Sequence, residues 1–291
     1  MRVHHLDCGT MCPVSARLVN GRGGWFERGR MVCHCLLVEG NDGLVLVDTG
    51  LGTGDIDDPR GRLSSMFLRV ARPRLDRGQT ALAHVERLGF RREDVRHIVP
   101  THLDLDHVGG LSDFPAASVH VFEPELRAAT ERATPKERNR YRPAQVAHGP
   151  KWVPHAVAGD SWLGLERVRA LGDDIALVPL IGHTRGHCAV AVKDERGWLL
   201  HAGDAYFFHG EVDPVRPRST PGLSLFQSLV AMDDGARRKN QARLRELVRD
   251  HGDAVRVFSA HDPSELDTLA SIQPALRQDP NGAAPGPVAQ A

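Results

Sequence analysis

Apolar residues in this chain gather in short runs of two different periods, separated by polar stretches rich in glycine and proline. "MVCHCLLVEGNDGLVLVDTG" (31–50) reads as two apolar strands joined by a tight turn at Asn41, Asp42 and Gly43. After Asp48 comes a polar loop, "GLGTGDIDDPRGR", with repeated glycine. Residues 79–89 (QTALAHVERLG) carry apolar positions at helical spacing, with Thr80 as N-cap and Gly89 as the stop. "VRHIVPTH" (95–102) and "ASVHVF" (117–122) are short buried strands. The charged stretch 123–142 reads as helix, and its exposed face needs no functional explanation.

The second half repeats the style. "VRALGDDIALVPLIG" (168–182) reads as two strands around Gly172 and Asp173, and 187–204 as a hairpin turning at Glu195, Arg196 and Gly197. Residues 222–250 hold two helices split near Asp233, Asp234 and Gly235, and "AVRVFSAHD" (254–262) is a last strand. Strands flanked by helices predict one layered α/β domain over 1–275. The Pro-, Ala- and Gly-rich end, 276–291, has no period and is expected to be a flexible tail.

Composition narrows the class without naming a function. Of 291 residues, 41% are hydrophobic and 25% charged, enough for a sizeable core. Lys plus Arg (37) balances Asp plus Glu (37), so charge points to neither nucleic acid nor membrane as a partner. No apolar run approaches the ~20 residues that span a bilayer. "MRVHHLDCGT" lacks a secretory h-region, so the cytoplasm is the expected compartment. The 5 cysteines have no zinc-ribbon spacing. In "VCHCLL", a strand points Cys33 and Cys35 to one face as small buried hydrophobes and His34 to the other.

The chemistry gathers in "THLDLDHVGG" (101–110), where His102, Asp104, Asp106 and His107 crowd into six positions at a strand end. Uncompensated carboxylates at that density repel one another, so a cation is the economical explanation. Gly109 and Gly110 let the backbone turn closely into the next helix. Three later residues repeat the setting: His187 in "IGHTRGHC", Asp204 in "LLHAGDAYF" and His261 in "VFSAHDP".

This pattern resembles the metallo-β-lactamase superfamily, with its HxHxDH, a lone His, a lone Asp after a strand and a last His near the C-terminus. The resemblance covers roughly residues 30–265 and is greatest to the acyl-homoserine lactonase group, through the 31–50 hairpin, "GDAYF" and "SAHDPSE". It implies an αββα four-layer sandwich with two divalent metal ions, zinc first and iron or manganese as alternatives, at one edge between the sheets. Carried over, His102, Asp104 and His187 bind one ion; Asp106, His107 and His261 bind the other; Asp204 bridges them. Asp48 and His183 are implied as supporting residues that orient ligands. Asp106 and Tyr206 are the residues expected to take part in catalysis, although the lactonase tyrosine lies three residues beyond its Asp and Tyr206 only two beyond Asp204.

Asp104 departs from the family, where a histidine is expected. A carboxylate oxygen preserves the reach of an imidazole Nδ1 but adds a negative charge, which favours harder ions and weakens their Lewis acidity. The implied activity is metal-assisted hydrolysis of a small molecule, a lactone or carboxylic ester ahead of a phosphodiester or phosphotriester. A di-iron redox protein lacks room for its flavin domain here, and a non-catalytic metal-binding scaffold is disfavoured by the full ligand set. Pocket walls are expected from the loop after Asp48, from 141–163 with Trp152 and Trp162, and from 205–226, with His148 and His155 read as structural. Monomer and homodimer remain open.

Overall fold

The computed structural model describes residues 1–157 and 159–272, and the expected tail lies outside the described residues. Among the described residues, twelve strands form two six-stranded sheets. The first runs in sequence order: β1 (Arg2–Met11), β2 (Met31–Gly40), β3 (Gly43–Val47), β4 (Val95–Val99), β5 (Ser118–Phe122) and β6 (Lys151–His155). It is antiparallel from β1 to β3 and parallel from β3 to β6. The second contains β7 (Asp160–Trp162), β8 (Leu165–Leu171), β9 (Ile175–Pro179), β10 (Cys188–Asp194), β11 (Gly197–His201) and β12 (Val255–Phe258), in the order β12-β11-β10-β9-β8-β7. Only the β11–β12 pair is parallel in that sheet.

The side-chain alternation of a strand builds the layers. Leu36 and Val38 of β2, Val45 and Val47 of β3 and Val99 face Leu177, Val190, Val192 and Phe258 of the other sheet. The opposite face of the first sheet, with Cys33, Cys35, Leu37, Leu46 and Ile98, packs against Ala81, Leu82 and Val85 of the helix Ala81–Arg87. The outer face of the second, with Ala189, Ala191 and Leu200, lies under Leu244 and Leu247 of the helix Asp234–His251. Central strands covered on both sides must be apolar on both, which is why they read as continuous runs.

Strand β1 has no counterpart in the sequence reading, because "RVHHLDCGTM" mixes histidine and aspartate into its apolar pattern. Its polar side chains are satisfied across the sheet: His4 Nε2 meets Glu39 at 2.8 Å and His5 Nδ1 meets His34 Nε2 at 2.8 Å. His34 is buried in this inter-sheet contact, opposite the face that carries Cys33 and Cys35. The charged stretch 123–142 divides into helices Glu123–Glu131 and Pro135–Arg140, and both bury a glutamate, Glu125 and Glu137.

Candidate metal centre

The motif strand delivers its residues through a rigid corner. Asp48, at the end of β3, adopts a positive φ of 56° and accepts hydrogen bonds from the Thr101 backbone N–H (2.7 Å) and the Thr101 hydroxyl (2.9 Å). His102 follows at once, and Leu105–Val108 forms a single helical turn. Asp104 occupies the N-cap position of that turn but makes no capping bond, so its carboxylate is free to face the site. Gly109 leaves room for the neighbouring loop: a Cβ there would stand 2.0 Å from Asp55 Oδ2.

Three imidazoles are oriented by their far ring nitrogens. His102 Nδ1 meets the Thr101 hydroxyl at 3.0 Å, His107 Nδ1 meets Asp48 Oδ2 at 2.8 Å, and His261 Nδ1 meets the Val32 carbonyl at 2.7 Å. With each Nδ1–H donated outward, each Nε2 presents a lone pair inward. Asp204 lies between two pairs of rings. Its Oδ1 is 3.2 Å from His107 Nε2 and 3.0 Å from His261 Nε2. Its Oδ2 is 3.2 Å from His183 Nε2 and 3.8 Å from His102 Nε2. Asp106 stands at the rim, with Oδ2 3.7 Å from His261 Nε2. Burial works against the charge of Asp48, but the adjoining His107 more than offsets it and holds the carboxyl below its usual range.

Asp104 reaches the centre as well. Its Oδ2 lies 3.1 Å from His183 Nε2 and 3.4 Å from His102 Nε2, while Oδ1 faces Arg140 Nε at 3.5 Å. Burial opposes ionisation here too; the Arg140 guanidinium, with His102 and His183, outweighs it and keeps the carboxyl well below the ordinary value. Arg140 is itself fixed, donating to the carbonyls of His183 (2.6 Å) and Val230 (2.7 Å). The extra negative charge that sequence reasoning assigned to Asp104 is thus met by a cation that sequence reasoning passed over.

The residues fit a metal. His102 Nε2 and Asp204 Oδ1 are buried without a hydrogen-bond partner. His107 Nε2 and His261 Nε2 face each other at 3.3 Å, and each ring's Nδ1 is engaged on its far side. A tetrahedral ion with bonds of ~2.0–2.1 Å sets its ligand atoms about 3.3 Å apart, so the lone pairs already have the spacing a cation requires. Among the described residues three groups of potential ligand atoms converge, each within 4.8 Å: His102, His183 and Asp204; His107, Asp204 and His261; and Cys33, Asp106 and His261.

The model of the metallo-β-lactamase superfamily matches residues 28–261. The chain belongs to this superfamily. A probable metallo-hydrolase of Mycobacterium tuberculosis is 44% identical over 266 residues, covering 90% of this chain and 81% of that protein. The N-acyl homoserine lactonase AttM of Rhizobium johnstonii is 32% identical over 120 residues, which is 40% of this chain and 44% of that protein. Among solved structures, AiiA of Bacillus thuringiensis with bound N-decanoyl-L-homoserine superposes with a TM-score of 0.66 at 20% identity, over 92% of this chain and 95% of that one. The dizinc quorum-quenching lactonase AidC superposes with a TM-score of 0.60 at 18% identity, over 90% and 87%. These likenesses establish the two-sheet superfamily fold and a metal-dependent hydrolase that uses divalent ions.

Within the superfamily frame, the geometry exchanges two expected histidines. His187 has both ring nitrogens engaged inside the protein, Nδ1 with the Leu180 carbonyl at 3.0 Å and Nε2 with the Asp204 backbone N–H at 2.9 Å. No lone pair is left for an ion. His183, expected as a supporting residue, is the one whose Nε2 faces Asp104 and Asp204. The sequence "GHTRGH" offers both; nothing in the local pattern says which ring turns inward.

Tyr206 is also displaced from its expected role. It is fully buried, and its hydroxyl donates to Glu265 at 2.8 Å. The position three residues beyond Asp204 is Phe207, whose ring stacks on His261 with centroids 5.0 Å apart. A cavity of about 530 Å³ opens over Phe207 and His261. Its far wall comes from residues 17–25, not from the loop after Asp48 or from 141–163. Segment 205–226 does contribute, with His209 among its lining residues, its Nδ1 held by Asp262 Oδ2 at 2.8 Å. Trp162 is buried under the second sheet, Trp152 packs against the outer core of the first, and His155 pairs with His120 at 3.0 Å.

Proposed function

We propose that the chain holds two divalent ions, zinc first, and hydrolyses a lactone or carboxylic ester. In this reading His102, Asp104 and His183 take one ion, Asp106, His107 and His261 the other, and Asp204 lies between them. The observation that supports it most is the pair of imidazole Nε2 atoms at 3.3 Å, closed by a carboxylate oxygen at 3.0 and 3.2 Å, three ligand-type atoms at the mutual spacing a tetrahedral ion requires. Two such ions, when bound, make water nucleophilic at neutral pH and polarise the carbonyl under attack.

The chain's own residues supply orientation. Asp48 and Thr101 fix His107 and His102, so their lone pairs need no reorganisation on binding. Arg140 keeps Asp104 ionised and turned inward. Phe207 covers His261 with an apolar face that excludes water from one side of the centre. With Tyr206 committed to Glu265, His209 on the cavity wall is the side chain placed to hold a proton near a departing alkoxide. The names of the lactonase relatives favour the lactone.

The test combines metal analysis with a panel of lactones, aryl esters and phosphoesters. The expected result is close to two ions per chain, loss of all turnover on chelation, and preference for the carbonyl substrates. One ion per chain, or turnover of phosphoesters alone, overturns the reading.

A further inference from the structure

The cavity above the centre is asymmetric in charge. At its inner end stand His261 and Phe207; at its outer end stand Arg17, Arg22 and Arg218, beside Trp25. Among the described residues no carboxylate lies within 4.0 Å of any of these three guanidiniums. Arg17 instead packs over the Trp25 ring, 5.6 Å from its centroid. The carboxylate among the lining residues is Asp262, whose oxygens are engaged within the protein: it accepts from the His209 ring and backbone (2.8 and 2.7 Å) and caps the helix Pro263–Ser271. The mouth of the cavity therefore carries three arginines against one lining carboxylate whose oxygens are already engaged, an excess of positive charge around an apolar lining.

From this juxtaposition we infer that the natural substrate carries an anionic group, a carboxylate or a phosphate ester, remote from the bond that is cleaved. The inference rests on the hydrolase reading and adds its substrate class. A cavity of about 530 Å³ is large enough to enclose a medium-sized ligand. Its inner end would seat the scissile carbonyl and its apolar middle a short carbon chain. The guanidiniums would then meet the far end through charge-assisted, bidentate hydrogen bonds that an ammonium does not reproduce. Trp25, more than half exposed, would become covered as the ligand fills the mouth.

Two measurements on the metal-loaded full chain test it. The first compares p-nitrophenyl hexanoate with the p-nitrophenyl monoester of adipic acid, which has the same chain length and a terminal carboxylate. The anionic ester should show kcat/KM at least tenfold higher, the effect of roughly one charge-assisted hydrogen bond. The advantage should shrink with added salt, and the ratio should collapse toward one in Arg22→Gln/Arg218→Gln. The second needs no turnover. Adipamic acid and the phosphate ester of 6-hydroxyhexanamide should change tryptophan fluorescence at concentrations where neutral hexanamide does not, and Trp25→Phe should abolish the change. Which anion binds more tightly distinguishes carboxylate from phosphate. Equal kcat/KM for the two esters, or equal binding of hexanamide and both anions, overturns the inference while leaving ester hydrolysis standing. Failure to cleave either ester removes the carboxylic-ester reading, and the binding measurement still decides the charge preference.

Discussion

Replacing Arg140 by methionine should tighten metal binding at the centre while weakening the metal-free protein. The guanidinium faces Asp104 Oδ1 at 3.5 Å, and both side chains are largely buried. At that distance and an effective dielectric of about 20, a full charge pair is worth about 5 kcal/mol before desolvation is subtracted. Arg140→Met leaves Asp104 as a buried charge with no fixed cation, and an arriving metal takes the place of the guanidinium. If about a quarter of the Coulomb figure is felt at the ion, the dissociation constant falls roughly tenfold. The metal-free variant should melt below the wild type, because breaking a buried pair strands one partner and two backbone carbonyls lose their donor.

The assay is competition against a chromophoric chelator, with thermal unfolding of metal-free and metal-loaded protein. Arg140→Lys keeps the charge and loses the fork, so its affinity should stay near that of the wild type. Asp104→His, which would restore the imidazole expected in the family, should bind metal poorly alone because the guanidinium then opposes the ion unshielded; adding Arg140→Met should restore binding. The reasoning is refuted if Arg140→Met binds no tighter, if Arg140→Lys shifts as far as Arg140→Met, or if the effects of Asp104→His and Arg140→Met simply add.

If the proposed pair of ions is bound, His183→Ala should cost one of them by elemental analysis, whereas His187→Ala should keep the wild-type metal content and lose stability, since its ring ties Leu180 to Asp204. Tyr206→Phe should leave kcat unchanged in a lactone assay and lower stability by about 1 kcal/mol for the lost hydrogen bond to Glu265; Phe207→Tyr, which places a phenol beside His261 at the cavity floor, should raise kcat/KM for lactones. Burial and the nearby Asp262 raise Glu265 from the ordinary 4.5 to about 8. A raised carboxyl contributes stability that is complete below its unfolded value and is lost as pH rises through the folded one, so wild-type stability should decline between pH 4.5 and 8. Glu265→Gln should remove that part of the decline, by a few kcal/mol at the alkaline end in urea titrations; parallel curves for the two proteins would show that Glu265 does not titrate there.

The inner strands were legible because both of their faces are covered, and their apolar runs stand out against the loops. The hairpin over 31–50 and the helix after Thr80 follow from turn and cap chemistry that acts within a few residues. What escaped notice depends on partners far away in the chain. Strand β1 looks polar until Glu39 and His34 stand beside it. Tyr206 looks catalytic until Glu265, on a helix near the end of the described chain, receives its hydroxyl. The motif chemistry was visible as clustered ligand types; the direction each ring faces was not, because that is set by the group on its other nitrogen.

Glu125 shows how a site is made by a residue that no motif marks. It sits in a stretch read as an ordinary charged helix, yet it is buried, and four donors converge on its two oxygens. Oε1 accepts from the backbone N–H of Leu103, between His102 and Asp104, and from the Tyr141 hydroxyl, at 2.9 and 3.1 Å. Oε2 accepts from the Thr184 hydroxyl at 2.7 Å and the Gly186 N–H at 3.0 Å. One carboxylate therefore joins the loop that carries Asp104 to the loop that carries His183. Gly186 allows the contact, since a Cβ there would stand 2.1 Å from the Glu125 nitrogen. With Thr184 and Gly186 pinned to one side of the turn, the two histidines flanking them are held apart: His187 is tied to Leu180 and Asp204, and His183 is presented to the centre. The choice between them that "GHTRGH" leaves open is made by a glutamate about sixty residues earlier in the chain, through backbone hydrogen bonds that leave no trace in the local pattern.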